Sequence, residues 1–293
     1  MKHEIDRALA APAQVSDDVC ALPLVRRLGA ALDMAPEQWR EGAALPRGWH
    51  VAFFSVDTPQ SQVRADGFAG LGVALPELGM PRIVFGGRKI HFFGDIPIGA
   101  RLRRNSRLLS VVPKEGRSGR LAVCTVQHEI FVEGGTEAVV LELHDYVMRE
   151  AVAPSEDAGA GAANPVAPVP TPTPPMPEPS LRRIVTPNEL LLFRISAVMS
   201  NPHRIHYDSP YALNVEGYPA LVVNGSVASL LLLEFFRSES GREPNAISLR
   251  NGGLSFCGRP LRLNAIAEDR QWQVWADDEQ GRVAVEGTMG FAT

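Results

Sequence analysis

Between Ala151 and Ser180 the chain reads AVAPSEDAGAGAANPVAPVPTPTPPMPEPS, a stretch holding nine of its 24 prolines and almost no large apolar side chain. Such a segment cannot bury enough surface to offset the entropy of ordering it, and its proline-rich end favours extended polyproline II. It reads as a linker over 151–180 that cuts the chain into two packing problems, residues 1–150 and 181–293. Each is long enough for a core of its own.

Composition then narrows the class. A 45% hydrophobic and 21% charged chain is globular in type, and its formal net charge of −4 supplies no global positive field for nucleic acid or an anionic membrane. A small anionic ligand would need a local cluster of Arg and Lys. The three cysteines, Cys20, Cys124 and Cys257, lie far apart without metal-ligand spacing, so neither a disulfide scaffold nor a metal site is expected. The start, MKHEIDRALAAPAQVSDD, has no apolar secretory core, and no run approaches the roughly 18 apolar residues of a membrane span. The expectation is a cytoplasmic protein.

In the first half, Val19 to Leu32 carries apolar residues at helical spacing. From Arg88 onward short runs rich in β-branched residues follow: KIHFF, ARLRRNSRLLSVV, RLAVCTVQHEIFV and AVVLELHDYVMRE. Turn signals such as Gly94-Asp95 and Gly134-Gly135 bound them, so an antiparallel meander is predicted. The second half predicts a short helix over Pro187 to Val198, a loop SNPHRIHYD, and a short helix capped by Asp208 with Pro210 in its first turn. A strand-like LVV leads through Asn224-Gly225 into a helix running to about Arg237, apolar nearly all round. Further strand runs, AISLRNGGLSFCG, PLRLNAIAED, QWQVWADD and RVAVEGTMGFA, complete the chain. The fold class is α+β, with a long buried helix wrapped by antiparallel sheet in the second half.

The segment from Leu192 to Glu234, with HRIHYD followed by a glycine at a helix start, resembles the signature of MaoC-type hydratases. It is most similar to the branch of itaconyl-CoA and mesaconyl-CoA hydratases and the mitochondrial-type 3-hydroxyacyl-thioester dehydratase. GWHVAFF (48–54), the turn 114–119 and ELHDYVMRE resemble that branch in the same order. The resemblance implies a double hot-dog with two antiparallel sheets, catalysis in the second half and a first half that closes the coenzyme A site. It implies reversible addition of water to a 2-enoyl-CoA, a hydro-lyase reaction needing no cofactor beyond the coenzyme A of the substrate. His206 then falls at the catalytic His and Gly225 at the glycine opening the buried helix. Asn201 stands where the wider family has a catalytic Asp, as in the dehydratase branch, and an amide cannot act as a base near neutral pH.

The residue types suit that chemistry. A His can take a proton from water and return it to the α-carbon at physiological pH. The Gly225 amide, at the positive end of a helix, can stabilise an enolate oxygen. His203 reads as a hydrogen-bonding neighbour of His206 and Asp208 as a helix cap, although Asp208 could also orient His206. Candidates for the substrate and the phosphates of coenzyme A are Arg88, Lys114, Arg117 and Arg120 in the first half, and Arg204, Tyr207 and Arg250 in the second. A dicarboxylic substrate would set its free carboxylate near Asn201, against Arg204 or Arg88.

Itaconyl-CoA or mesaconyl-CoA, giving citramalyl-CoA, leads the substrate readings, with a longer 3-hydroxyacyl chain as the alternative. A non-catalytic acyl-CoA-binding module and a thioesterase stand further back; Glu234 lies too far along its helix to meet a thioester. The partner expected is the acyl-CoA itself, with no nucleic acid and no membrane, and pairing of chains into a homo-oligomer is left open.

Overall fold

The computed structural model describes residues 2–116, 119–150, 176–268 and 271–291; the linker expectation for 151–175 and the candidate Arg117 lie outside them. In chain order the elements are α1 (Lys2–Leu9), β1 (Gln14–Val19), α2 (Leu22–Ala31), β2 (Arg82–Phe92), β3 (Arg101–Gly116), β4 (Gly119–Val132) and β5 (Val140–Arg149). The second half adds β6 (Leu181–Val185), α3 (Glu189–Val198), α4 (Ser209–Asn214), α5 (Gly225–Ser240), β7 (Ala246–Asn251), β8 (Leu261–Ala267), β9 (Gln271–Asp277) and β10 (Val283–Gly290). Short 3-10 turns at Trp49–Ala52 and Arg204–His206 punctuate the loops.

The two sheets expected are one. Ten antiparallel strands run in the order β1-β3-β4-β5-β2-β7-β10-β9-β8-β6, five from each half, and the seam is the pairing of β2 with β7 from Gly87↔Arg250 to His91↔Ala246. Only glycine fits at 87, where φ is +155° and a Cβ would overlap the Leu249 carbonyl. Gly87 also ends a bulge in β2 beginning at Phe85, which re-aims the following residue, Arg88.

Helix α5 forms where periodicity placed it. The Asn224 side chain caps it by accepting from the Ser226 amide at 2.7 Å, and Gly241 ends it in the left-handed conformation. Its residues Val227, Ala228, Leu230, Leu232, Leu233, Phe235 and Phe236 are all buried, and the helix lies against β8, β9 and β10. Each large apolar side chain so buried contributes about 1.5–3 kcal/mol, which is why an all-round apolar helix is stable only inside the curl of a sheet. The first half has no counterpart: α2 is ten residues long and packs against α3. A second apolar cluster, Met80, Leu108, Ala122, Cys124, Val126 and Met148, fills the far end of that half instead.

Three local expectations need correction. Val19 ends β1, and the helix expected from it begins at Leu22. Leu221–Val223 is not a strand: only Val222 makes a bridge, to Phe256, and its backbone groups also bond to Ile205 and His206. The run from Ala246 breaks at Asn251, because the next residues are Gly252 and Gly253.

Candidate active site

His206 sits in a 3-10 turn and is buried. Its Nδ1 lies 2.8 Å from the Val222 carbonyl, which can only accept, so Nδ1 carries the proton and Nε2 keeps its lone pair. Burial lowers its pKa to about 4 against the small upward pull of that hydrogen bond, so the ring is neutral at physiological pH. The reverse bond, from the Val222 amide to the Ile205 carbonyl at 2.9 Å, completes a clamp between the His206 turn and the segment two residues ahead of the α5 cap. One short stretch, 222–225, therefore sets both the tautomer of the base and the position of the α5 N-terminus.

At that N-terminus no described group accepts a hydrogen bond from the Gly225 amide. A side chain at 225 would start 3.1 Å from Asn251 Nδ2, so the glycine keeps both the amide approachable and Asn251 in place. Unpartnered N–H groups at the positive end of a buried helix are what a developing enolate oxygen requires.

Asn201 belongs to the same loop, but its Oδ1 accepts from the His203 amide at 3.1 Å in an Asx turn. The carboxamide thus offers its NH₂ as a donor and does not serve as a base. His203 makes edge-on ring contact with His206, centroids 5.4 Å apart, rather than the hydrogen bond expected of it. Asp208 is the cap of α4, accepting from the Tyr211 amide at 3.1 Å, and does not orient His206.

The cations expected at coenzyme A separate into two groups. Arg204 is consumed by structure: Nε and Nη2 donate to Asp208 at 2.9 and 2.8 Å, Nη1 donates to the Ala65 carbonyl, and the guanidinium lies over Tyr211. Arg250 points to the outer face of β7, opposite the buried Ile247 and Leu249, with its side chain 67% exposed and paired to Glu286. Strand alternation takes it away from His206. Tyr207 is exposed and its hydroxyl donates to the Pro202 carbonyl. Lys114 is exposed near the end of β3, and Arg120 pairs with Glu150 at the start of β4. Among the described candidates only Arg88 reaches the site: it is 6% exposed and its Nη2 donates to Ser226 Oγ, one residue past Gly225, at 3.2 Å.

Sequence reasoning missed how the first half reaches this loop. The Asp66-Gly67 turn presses on it: the Arg204 amide donates to the Asp66 carbonyl, and a Cβ on Gly67, at φ +87°, would overlap the Pro202 carbonyl. Ser55 donates to the Met199 carbonyl alongside. The Asp-Gly dipeptide was the available signal. Also missed was Glu234, which accepts from Trp49 Nε1 at 2.7 Å and pairs with Arg237, so its role is to fasten α5 to the first half.

The family model for hydroxyacyl-thioester dehydratase type 2 matches residues 48–257. The chain belongs to this family. The resemblance seen in HRIHYD and GWHVAFF is thereby borne out, and the protein is a hydro-lyase of acyl thioesters by descent. It is 36% identical to the mesaconyl-C4-CoA hydratase of Chloroflexus aurantiacus over 278 residues, 94% of each chain. It is 24% identical to the mitochondrial hydroxyacyl-thioester dehydratase type 2 of Schizosaccharomyces pombe over 245 residues, 78% of this chain and 80% of that one. In fold it matches a MaoC-like dehydratase from Phytophthora capsici (TM-score 0.71, 13% identity, 98% of both chains) and a Mycobacterium tuberculosis protein described as a double hotdog (TM-score 0.55, 13% identity, 96% of both). The dehydratase family's fold is thus the double hot-dog expected, its halves continuous through β2 and β7. Among the described residues no helix is long and apolar enough to cross a membrane.

Proposed function

We propose that this enzyme hydrates a short, branched dicarboxylic enoyl-CoA, mesaconyl-CoA or itaconyl-CoA, to citramalyl-CoA. On mesaconyl-C4-CoA, whose double bond is conjugated with the thioester, His206 Nε2 takes a proton from water as the oxygen attacks the β-carbon. Negative charge gathers on the thioester oxygen at the Gly225 amide, and the imidazolium returns the proton to the α-carbon. The Asn201 NH₂ holds the water by its oxygen. Arg88 stands beside the thioester end through Ser226.

The observation that carries the reaction is the His206 Nδ1 bond to Val222 O, which leaves a neutral base tethered to a residue two positions ahead of the α5 cap. Support for the acid comes from the Chloroflexus relative, matched along 94% of both chains. A longer 3-hydroxyacyl substrate is the alternative, in keeping with the Schizosaccharomyces relative named for a hydroxyacyl thioester. We read the protein as cytoplasmic, with coenzyme A entering only as part of the substrate.

The test is the loss of enoyl-thioester absorbance with mesaconyl-C4-CoA, crotonyl-CoA and octenoyl-CoA, with chromatographic detection of citramalyl-CoA for itaconyl-CoA. The expected order places a dicarboxylic ester first in kcat/KM. Preference for octenoyl-CoA would replace this reading with the long-chain one.

A further inference from the structure

The inner face of the first-half sheet is not the apolar surface its burial calls for. Register puts Arg104 and Ser106 of β3, His128 of β4, Glu142, His144 and Tyr146 of β5, and Arg88 of β2 on one face. His128 and Glu142 are each 3% exposed, and His50 joins them from its 3-10 turn with Nε2 3.0 Å from Glu142 Oε2. His144 Nε2 lies 2.7 Å from Glu142 Oε1 and Arg88 Nη1 3.5 Å from it, while His144 Nδ1 meets the Tyr146 hydroxyl at 3.1 Å. His128 Nδ1 meets Ser106 Oγ at 2.8 Å. This polar layer separates the main core from the apolar cluster around Met80.

The layer leaves one of its cations without a direct ion pair. Arg88 faces Glu142, but Arg104 has no acidic partner within ion-pair distance among the described residues. Its Nη2 donates to the Phe54 carbonyl, its guanidinium lies over the Phe54 ring, and its buried Nε has no acceptor. Arg88 Nε, Glu142 Oε1 and His144 Nε2 are likewise buried without an aligned partner. Burial lowers the pKa of His128 and His144, so the charges facing one another are Arg88 and Arg104 against the buried Glu142, with the half-buried Asp18 of β1 on the same face acting on Arg104 from beyond ion-pair distance. A half-buried guanidinium whose Nε has no acceptor and which makes no direct ion pair can accept one more carboxylate at little desolvation cost. A metal ion fits less well, since Arg88 already faces Glu142, the layer's buried carboxylate.

The layer also adjoins the chemistry at two points. Arg88 touches Ser226 beside Gly225, and Arg104 holds Phe54, whose neighbour Ser55 bonds to Met199 at the entry of the catalytic loop. Resting on the dicarboxylic reading above, we propose that this layer binds the free carboxylate of the acyl group, with Arg104 as its charge partner and Arg88 as the second donor. Selection among acids then lies in the first half, and catalysis in the second. A guanidinium fork matches a carboxylate in two parallel hydrogen bonds, whereas an alkyl tail in the same place would strand these groups without partners.

The experiment compares kcat/KM for mesaconyl-C4-CoA with that for crotonyl-CoA, in the wild-type enzyme and in Arg104→Met. The ratio should fall about 10- to 100-fold, the worth of one charge-assisted hydrogen bond in a desolvated site. A ratio unchanged within about two-fold overturns the proposal while leaving the dicarboxylic reading intact. A wild-type enzyme that does not favour the dicarboxylic ester sinks both. Should Arg104→Met fail to fold, Arg104→Lys keeps the charge but loses the fork, and must still lower the ratio by at least about three-fold. An unchanged ratio in that variant is equally fatal.

Discussion

At the scale of single residues the account turns on which group is base and which is donor. Because Asn201 Oδ1 is taken by the His203 amide, Asn201→Ala loses both the turn and the water-holding NH₂; we expect hydration to fall about ten-fold or more. Asn201→Asp keeps the turn acceptor and should stay active, with KM raised more for a dicarboxylic ester than for crotonyl-CoA. Equal effects on both esters would put the substrate carboxylate away from Asn201, and an unaffected Ala variant would remove Asn201 from the site. Since His206 is held neutral by burial, the acid limb of kcat/KM should lie near 4 rather than near the usual 6.5. A limb at 6.5 or above in the pH–rate profile would mean that the ring is solvated or charge-paired in the free enzyme. His206, Asn201 and Gly225 were legible because they sit in one short motif. Arg204 was misread although Asp208, one helical turn on, advertised its partner. For Arg250 the alternation with Ile247 and Leu249 already pointed outward.

At the scale of elements, the loop carrying His206 is held by its docking between the segment leading into α5 and the Asp66-Gly67 turn. Gly67→Ala should push that turn off Pro202, and a displacement of about 1 Å at a reacting group can cost on the order of 100-fold in rate. The readout is kcat beside the thermal midpoint, with kcat falling much further than stability. A wild-type kcat would show that the contact is incidental. Helix α5 carries the opposite kind of dependence: Leu232→Ala, at a fully buried position, should cost about 2–5 kcal/mol in denaturant unfolding. A loss under about 1 kcal/mol would mean that the sheet can collapse onto the vacated space. Most elements could be read from periodicity and caps, α5 best of all. The polar inner face could have been read too, since Glu142, His144 and Tyr146 share the parity of the buried positions in β5. They escaped notice because alternation was taken to mean apolar residues inward.

At the scale of the whole molecule, the pairing of β2 with β7 was not legible, since no local pattern says which edges of two sheets will meet. That seam brings Arg88 of one half to Ser226 of the other. It also places several buried histidines where pH acts on stability. Burial depresses His206, His128 and His144, so each is neutral in the folded state, while the unfolded chain binds their protons at about 6.5. Stability is therefore complete above about 6.5 and lost as pH falls toward the folded values, about 4 for His206. Burial alone would raise Glu142, but His144, His50 and Arg88 hold it well below the usual carboxylate range, so its contribution is lost only at still lower pH. Thermal midpoints measured from pH 8 to pH 4 should begin to decline near 6.5, and a flat profile down to 5 would contradict the buried neutral histidines. The most direct test of the central claim is hydration of mesaconyl-C4-CoA by the wild-type enzyme and by His206→Ala, with circular dichroism as the check on fold. The account requires measurable wild-type turnover and a fall of about 10²- to 10⁴-fold in a folded variant. Near-wild-type turnover by folded His206→Ala would contradict it.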